Sequence, residues 1–164
     1  MNIVHLHLLL NHFPVIGAII SALLLAVALL RRSSELAKIS LAFLALIGAM
    51  SVVVFLTGDP AQDALEKLPG FSERLADRHE DAALVATVVT GVIGALALGA
   101  MIVYRQRAVP RWLTMLVLVC AVGASAMMGY TAYLGGQIRH TELRPSSSLG
   151  DGGSPALGAE HDEH

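Results

Sequence analysis

Four apolar runs of bilayer length dominate this chain: roughly Leu8 to Leu30, Leu36 to Thr57, Ala82 to Tyr104 and Trp112 to Leu134. A helix needs about 20 apolar residues to cross the hydrocarbon core of a membrane. Within lipid the backbone has no water to bond, so runs of this kind satisfy their own N–H and C=O groups as helices. Composition agrees: 55% of the residues are hydrophobic and only 15% charged, with the charges gathered in short blocks between the runs. The expected fold is all-α, an integral membrane four-helix up-down bundle occupying residues 1–144. Its spans fall near 5–30, 36–57, 80–104 and 111–134.

The first run lacks the positive leading region of a secretory signal, since Arg31 and Arg32 follow it, and it is read as a retained anchor. Orientation comes from Lys and Arg near the helix ends. Arg31, Arg32 and Lys38 crowd the first short loop, and Arg105, Arg107 and Arg111 the third. These six bases share their side with one acid, Glu35, whereas the opposite side carries five bases and twelve acids. The expectation is a multi-pass protein of the inner (cytoplasmic) membrane, with both termini and the long middle loop outside the cytoplasm. Cys120, the single cysteine, lies within the fourth run and is read as a packing residue.

On this topology all seven histidines fall on the non-cytoplasmic side. His5, His7 and His12 stand at the outer end of the first helix, His79 just before the third, and His140 after the fourth. His161 and His164 belong to the tail. A rise of ~1.5 Å per residue puts His12 near the outer hydrocarbon boundary, with His5 and His7 above it. Seven residues apart, His5 and His12 share a helical face, and His7 points to the other side. Pro14 either starts a helix or kinks one that begins near Ile3, and the kinked, continuous helix is preferred because a start at Pro14 leaves a short span.

Small residues form two lanes. Ala83, Ala86, Thr90, Gly94 and Ala97 follow His79, and Ala121, Ser125 and Gly129 step along the fourth helix. Such lanes let helix backbones approach closely; equally, they leave room for a flat cofactor. Both readings stand.

In the middle loop, Gly58-Asp59-Pro60 is expected to end the second helix. An amphipathic stretch follows with Ala61, Leu65 and Leu68 as its apolar positions, then a break at Pro69-Gly70. Ser72 is a candidate cap for a third helix that begins above the bilayer. Gly135-Gly136 is the expected end of the fourth helix. Asp59, Glu80 and Glu142 neighbour helix ends that carry histidine, which suits them to accept the second N–H of a ligating imidazole. From Pro145 the chain is rich in Ser, Gly and Pro, so residues 145–164 are expected to be disordered, with the final His-Asp-Glu-His as a solvated tail.

Three of these pieces together resemble the DUF2231 family of bacterial four-helix membrane proteins. They are His7-x-x-x-x-His12-Phe13-Pro14, the Gly58-Asp59 that closes the second helix ahead of His79, and Gly135-Gly136 followed by His140. The family pattern has His-Pro where this chain has His7-Leu8. The resemblance covers most of residues 5–142 and implies the four-helix fold and topology rather than an activity.

The histidines imply a cofactor protein at the outer surface, serving membrane electron transfer. Haem iron takes histidine ligands from facing helices, and bundles build such sites in their cores. His12 and His79 are the expected haem b pair, with His140 as a third or replacement ligand. No Cys-x-x-Cys-His motif is present, so any haem is held without a covalent bond. If a metal ion is bound instead, zinc, copper or iron would draw on His5, His7, His12, His79, His140, Asp59, Glu80 and Glu142. The alternative is a non-catalytic accessory or anchoring subunit whose histidine and acid face docks a redox partner or a larger membrane complex. A transporter is disfavoured because the helix interiors hold no Asp, Glu, Lys or Arg. An independent enzyme lacks a nucleophile–base arrangement, and nucleic-acid binding lacks a basic surface.

Overall fold

A computed structural model describes residues 2–67 and 71–139. Leu68, His140, Glu142 and the tail from Pro145 lie outside the described residues. So do the roles expected of them as apolar contact, ligand, acceptor and disordered segment. The described residues form six helices: α1 Ile3–Leu10, α2 His12–Leu30, α3 Ser34–Phe55, α4 Gly58–Leu65, α5 Glu73–Val103 and α6 Arg111–Arg139.

α1 and α2 make one kinked rod. Asn2 caps it, its Oδ1 accepting the Val4 N–H at 3.3 Å. Pro14 has no N–H to return to the Leu10 carbonyl, and the ladder breaks just there. Asn11 nevertheless stays right-handed, at φ −63° and ψ −22°, and donates its N–H to the His7 carbonyl at 2.9 Å. The chain then reverses through Arg31 and Arg32. Arg32 sits at φ 52°, the one non-glycine residue with positive φ among those described. Ser33 caps α3 by accepting the Leu36 N–H at 3.2 Å.

Gly58-Asp59-Pro60 follows the end of the second long helix and opens a short one, both as expected. α3 stops at Phe55, and Pro60 falls in the first turn of α4, where its missing N–H has no partner to lose. Ala61 is buried on the inner face of this short helix. Ser72 occupies the cap position of α5 in extended conformation, though its side chain makes no capping bond. Gly135-Gly136, by contrast, does not terminate α6, which continues to Arg139. Neither glycine needs left-handed backbone, so the pair costs only the reduced helix propensity of its residues.

α2 packs against α3 and α6, α5 packs against the same two, and α1 lies on α4. Contact is closest where α3 crosses α5. A Cβ on Gly48 would stand 3.0 Å from both the Gly94 Cα and the Thr90 carbonyl. The interior is lined by small and hydroxyl-bearing residues. Ser21, Ser40 and Ser51 are buried and bond carbonyls of their own helices at 2.7–2.8 Å, and buried Thr114 bonds the Pro110 carbonyl just ahead of α6 at 3.3 Å, so none needs water. Leu25, Leu41 and Leu44 are fully buried with them, while many other large apolar side chains face outward, among them Leu23, Leu46, Val88, Leu96 and Val119. An exposed apolar surface this extensive is foreign to a water-soluble monomer. Four helical rods, Ile3–Leu30, Ser34–Leu65, Glu73–Val103 and Arg111–Ile138, are long and apolar enough to cross a membrane. Three of the expected spans fall inside them, and the one at 80–104 runs a single residue past Val103. At the opposite end from α1 and α4, Ser34 Oγ accepts the Val109 N–H at 2.9 Å, and Lys38 reaches the Arg105 carbonyl at 3.3 Å.

Candidate functional site

At the α1/α4 end a cleft of about 550 Å³ opens between the helices and descends to Ser51, Ala86 and Met128. All six helices contribute to its wall. Most of that wall is apolar, with a few polar groups converging on the space, the usual make-up of a ligand site. His7, His12 and His79 line it, and so do Asp59 and Glu80 at its exposed margin.

His79 is half-buried and lies against α6. Its Nδ1 is 3.0 Å from the Thr131 carbonyl. A carbonyl only accepts, so Nδ1 carries the proton and Nε2 keeps its lone pair. Gly135 makes this placement possible, because a Cβ there would come within 3.0 Å of the imidazole Cε1. The glycine expected to stop a helix therefore serves as the bed for a histidine ring.

His7 is half-buried too, with Nδ1 2.9 Å from the Thr57 hydroxyl. That hydroxyl already gives its hydrogen to the Val54 carbonyl at 2.6 Å, and therefore accepts from His7. The same tautomer follows: Nδ1–H anchored, Nε2 bare. The two imidazoles are close enough to interact electrostatically. His12 differs. Its Nδ1 bonds the Leu8 carbonyl at 2.7 Å, one turn back along the same rod, and its ring is exposed.

Of the expected pair, His79 is half-buried and anchored across helices, as His7 is, whereas His12 lines the cleft with an exposed ring bonded to its own rod. His7 and His12, not His5 and His12, share the cleft, and His5 is exposed outside it. The expected metal set is not assembled. Among the described residues no three His, Cys, Asp or Glu side chains come together as a metal ion requires. Asp59 and Glu80 are exposed and do not orient an imidazole; Thr57, Thr131 and the Leu8 carbonyl take the N–H groups instead.

The lane below His79 divides in two. Ala83 and Ala86 line the cleft, whereas Gly94 meets Gly48 in a helix crossing. On α6 the lane of Ala121, Ser125 and Gly129 departs from the interior, because Ala121 is buried and Gly129 exposed with nothing near its missing Cβ.

Thr57 and Thr131 carry no sequence signal of their role, since each acts only through a contact some fifty residues away. His7 did have one. Val4, His7, Leu8 and Asn11 form a helical stripe, and all four line the cleft. No protein-family model matches the chain, and no curated protein and no solved structure matches it.

Proposed function

We propose that this chain is a multi-pass inner-membrane protein whose four spanning rods form an up-down bundle. Its outer cleft would hold haem b between His7 and His79, for electron transfer within the membrane. The outward apolar side chains support insertion. The band from Trp112 to Tyr130 on α6 is about 27 Å long at the helical rise, close to the ~30 Å of a hydrocarbon core. Basic residues gathered at the Arg31 and Arg105 turns support a cytoplasmic placement of that end. The DUF2231-like resemblance is part of the same proposal.

One observation carries the haem reading. Two imidazoles from different helices enter one largely apolar cleft with Nδ1–H tied to the protein and Nε2 left free. This is the arrangement in which a histidine binds iron, its second nitrogen fixing the ring and raising its basicity. Two imidazole nitrogens and apolar walls would suit haem. A bare divalent ion asks for three or more protein ligands, and among the described residues no third group converges here. When bound, haem would supply reversible one-electron chemistry. The chain's own part is to hold the two rings, exclude water and keep the site within reach of the outer surface.

The test is the reduced-minus-oxidised absorption spectrum of detergent-purified protein, with metal analysis. A stoichiometric haem strongly depleted in His7→Ala and His79→Ala but kept in full in His12→Ala supports the reading. A folded, colourless and metal-free protein overturns it, and leaves the docking subunit as the better account.

A further inference from the structure

On the outside of the molecule, between α5 and α6, a second hollow of about 650 Å³ runs along the lipid-facing surface. Its floor is apolar, formed by Ala82, Val85, Ala126 and Met127. Its outer end is polar, with Arg78, Asp81 and Tyr130. Arg78 and His79 are neighbours pointing opposite ways: His79 turns inward to the Thr131 carbonyl, and Arg78 reaches outward to the Tyr130 hydroxyl at 3.5 Å. The hollow is thus separate from the histidine cleft, although both meet α6 at the same level.

We infer that this hollow is a phospholipid site selective for a phosphoethanolamine headgroup, with one acyl chain lying on the Ala82–Val85 and Ala126–Met127 floor. The inference rests on the membrane-spanning reading and is independent of haem. The argument is charge complementarity at a defined depth. α5 is apolar from Ala82 onward, so Arg78 and Asp81 stand at the boundary where headgroups lie, beside a tyrosine of the kind that favours that boundary. Both charges are available. Among the described residues the one ion pair is Lys38–Glu35, so Arg78 and Asp81, three apart on the same helix, are not neutralised by each other. A guanidinium offers paired N–H donors to a phosphate. A carboxylate beside it repels a purely anionic headgroup, but accepts hydrogen bonds from a primary ammonium. One zwitterion with phosphate and ammonium adjacent satisfies both, and the trimethylated amine of a choline headgroup has no N–H to give.

The experiment is native mass spectrometry of the full-length, delipidated protein in detergent. Synthetic phosphatidylethanolamine, phosphatidylcholine or phosphatidylglycerol of identical chains is added, and the fraction retaining one lipid is read. A charge-assisted hydrogen bond is strong enough to favour the ethanolamine lipid over the choline lipid by about tenfold in the wild type. Arg78→Gln should lower retention of all three lipids. Asp81→Asn should abolish the ethanolamine preference while leaving phosphate-dependent binding. Both residues are exposed, so the variants are expected to fold. Equal retention of the ethanolamine and choline lipids by the wild type overturns the headgroup assignment, as does an Arg78→Gln protein that binds like the wild type. A chain that alkaline carbonate washes off the membrane overturns the membrane reading itself.

Discussion

The ring of His79 fills the space that a side chain at Gly135 would occupy, since a Cβ there would lie 3.0 Å from Cε1 and 3.3 Å from Nδ1. Backbone from one helix is therefore the platform for a side chain from another. Gly135→Ala should push the ring off that platform and lengthen its bond to the Thr131 carbonyl. Overpacking of this kind costs about 1–3 kcal/mol, and haem retention should fall with it. Gly136→Ala is the matched control, because a Cβ there meets nothing within 4 Å. Parallel thermal melts and absorption spectra of the two variants check the difference.

Thr57 holds His7 by accepting its Nδ1–H. Thr57→Val keeps the shape and removes the acceptor, so stability should drop by about 1 kcal/mol. The fixed tautomer should be lost as well. Nitrogen chemical shifts of labelled His7 read this directly: one tautomer in the wild type, a mixture in Thr57→Val, and recovery in Thr57→Ser.

The crossing of α3 and α5 depends on two glycines in backbone contact. Because backbone cannot yield as a side-chain tip can, Gly48→Ala should destabilise by ~1–3 kcal/mol. At Gly91 nothing lies within 4 Å of a built Cβ. There alanine should stabilise by about 0.5–1 kcal/mol through helix propensity. Opposite shifts in the thermal midpoint are expected from two substitutions that look alike on paper.

Arg32 closes the first turn at φ 52°, a conformation that costs an L residue roughly 1 kcal/mol or more. Arg32→Gly should raise the thermal midpoint without altering the cleft at the far end of the rods. A loss of stability would mean that the Arg32 side chain contributes more than its backbone strain removes.

The spans were legible because lipid-length apolar runs are a strong, local signal, and Pro14 alone located the kink at Asn11. The turns were harder. Gly58-Asp59-Pro60 and Gly135-Gly136 both have the composition of helix ends, and the first does follow the end of α3 and open α4, yet the second runs inside α6. Proline suits a first turn as well as a stop, and glycine was needed for the space it leaves rather than for its conformational freedom. For the site, the sequence identified the histidines but not which rings are anchored across helices, which are those of His7 and His79. The anchors Thr57 and Thr131 were not legible, because a threonine gains that role only from a ring brought to it by tertiary packing.

Carbon monoxide binding to the reduced protein tests most directly whether His7 and His79 jointly hold one group. Carbon monoxide needs a vacant position on iron, so a haem gripped by both rings should leave the wild-type and His12→Ala spectra unchanged on exposure to the gas. His7→Ala protein supplied with haem during expression should retain a weakened complement that shifts at once. A wild-type haem that binds the gas as readily as the His7→Ala protein would contradict the account, because His7 would then not be a ligand.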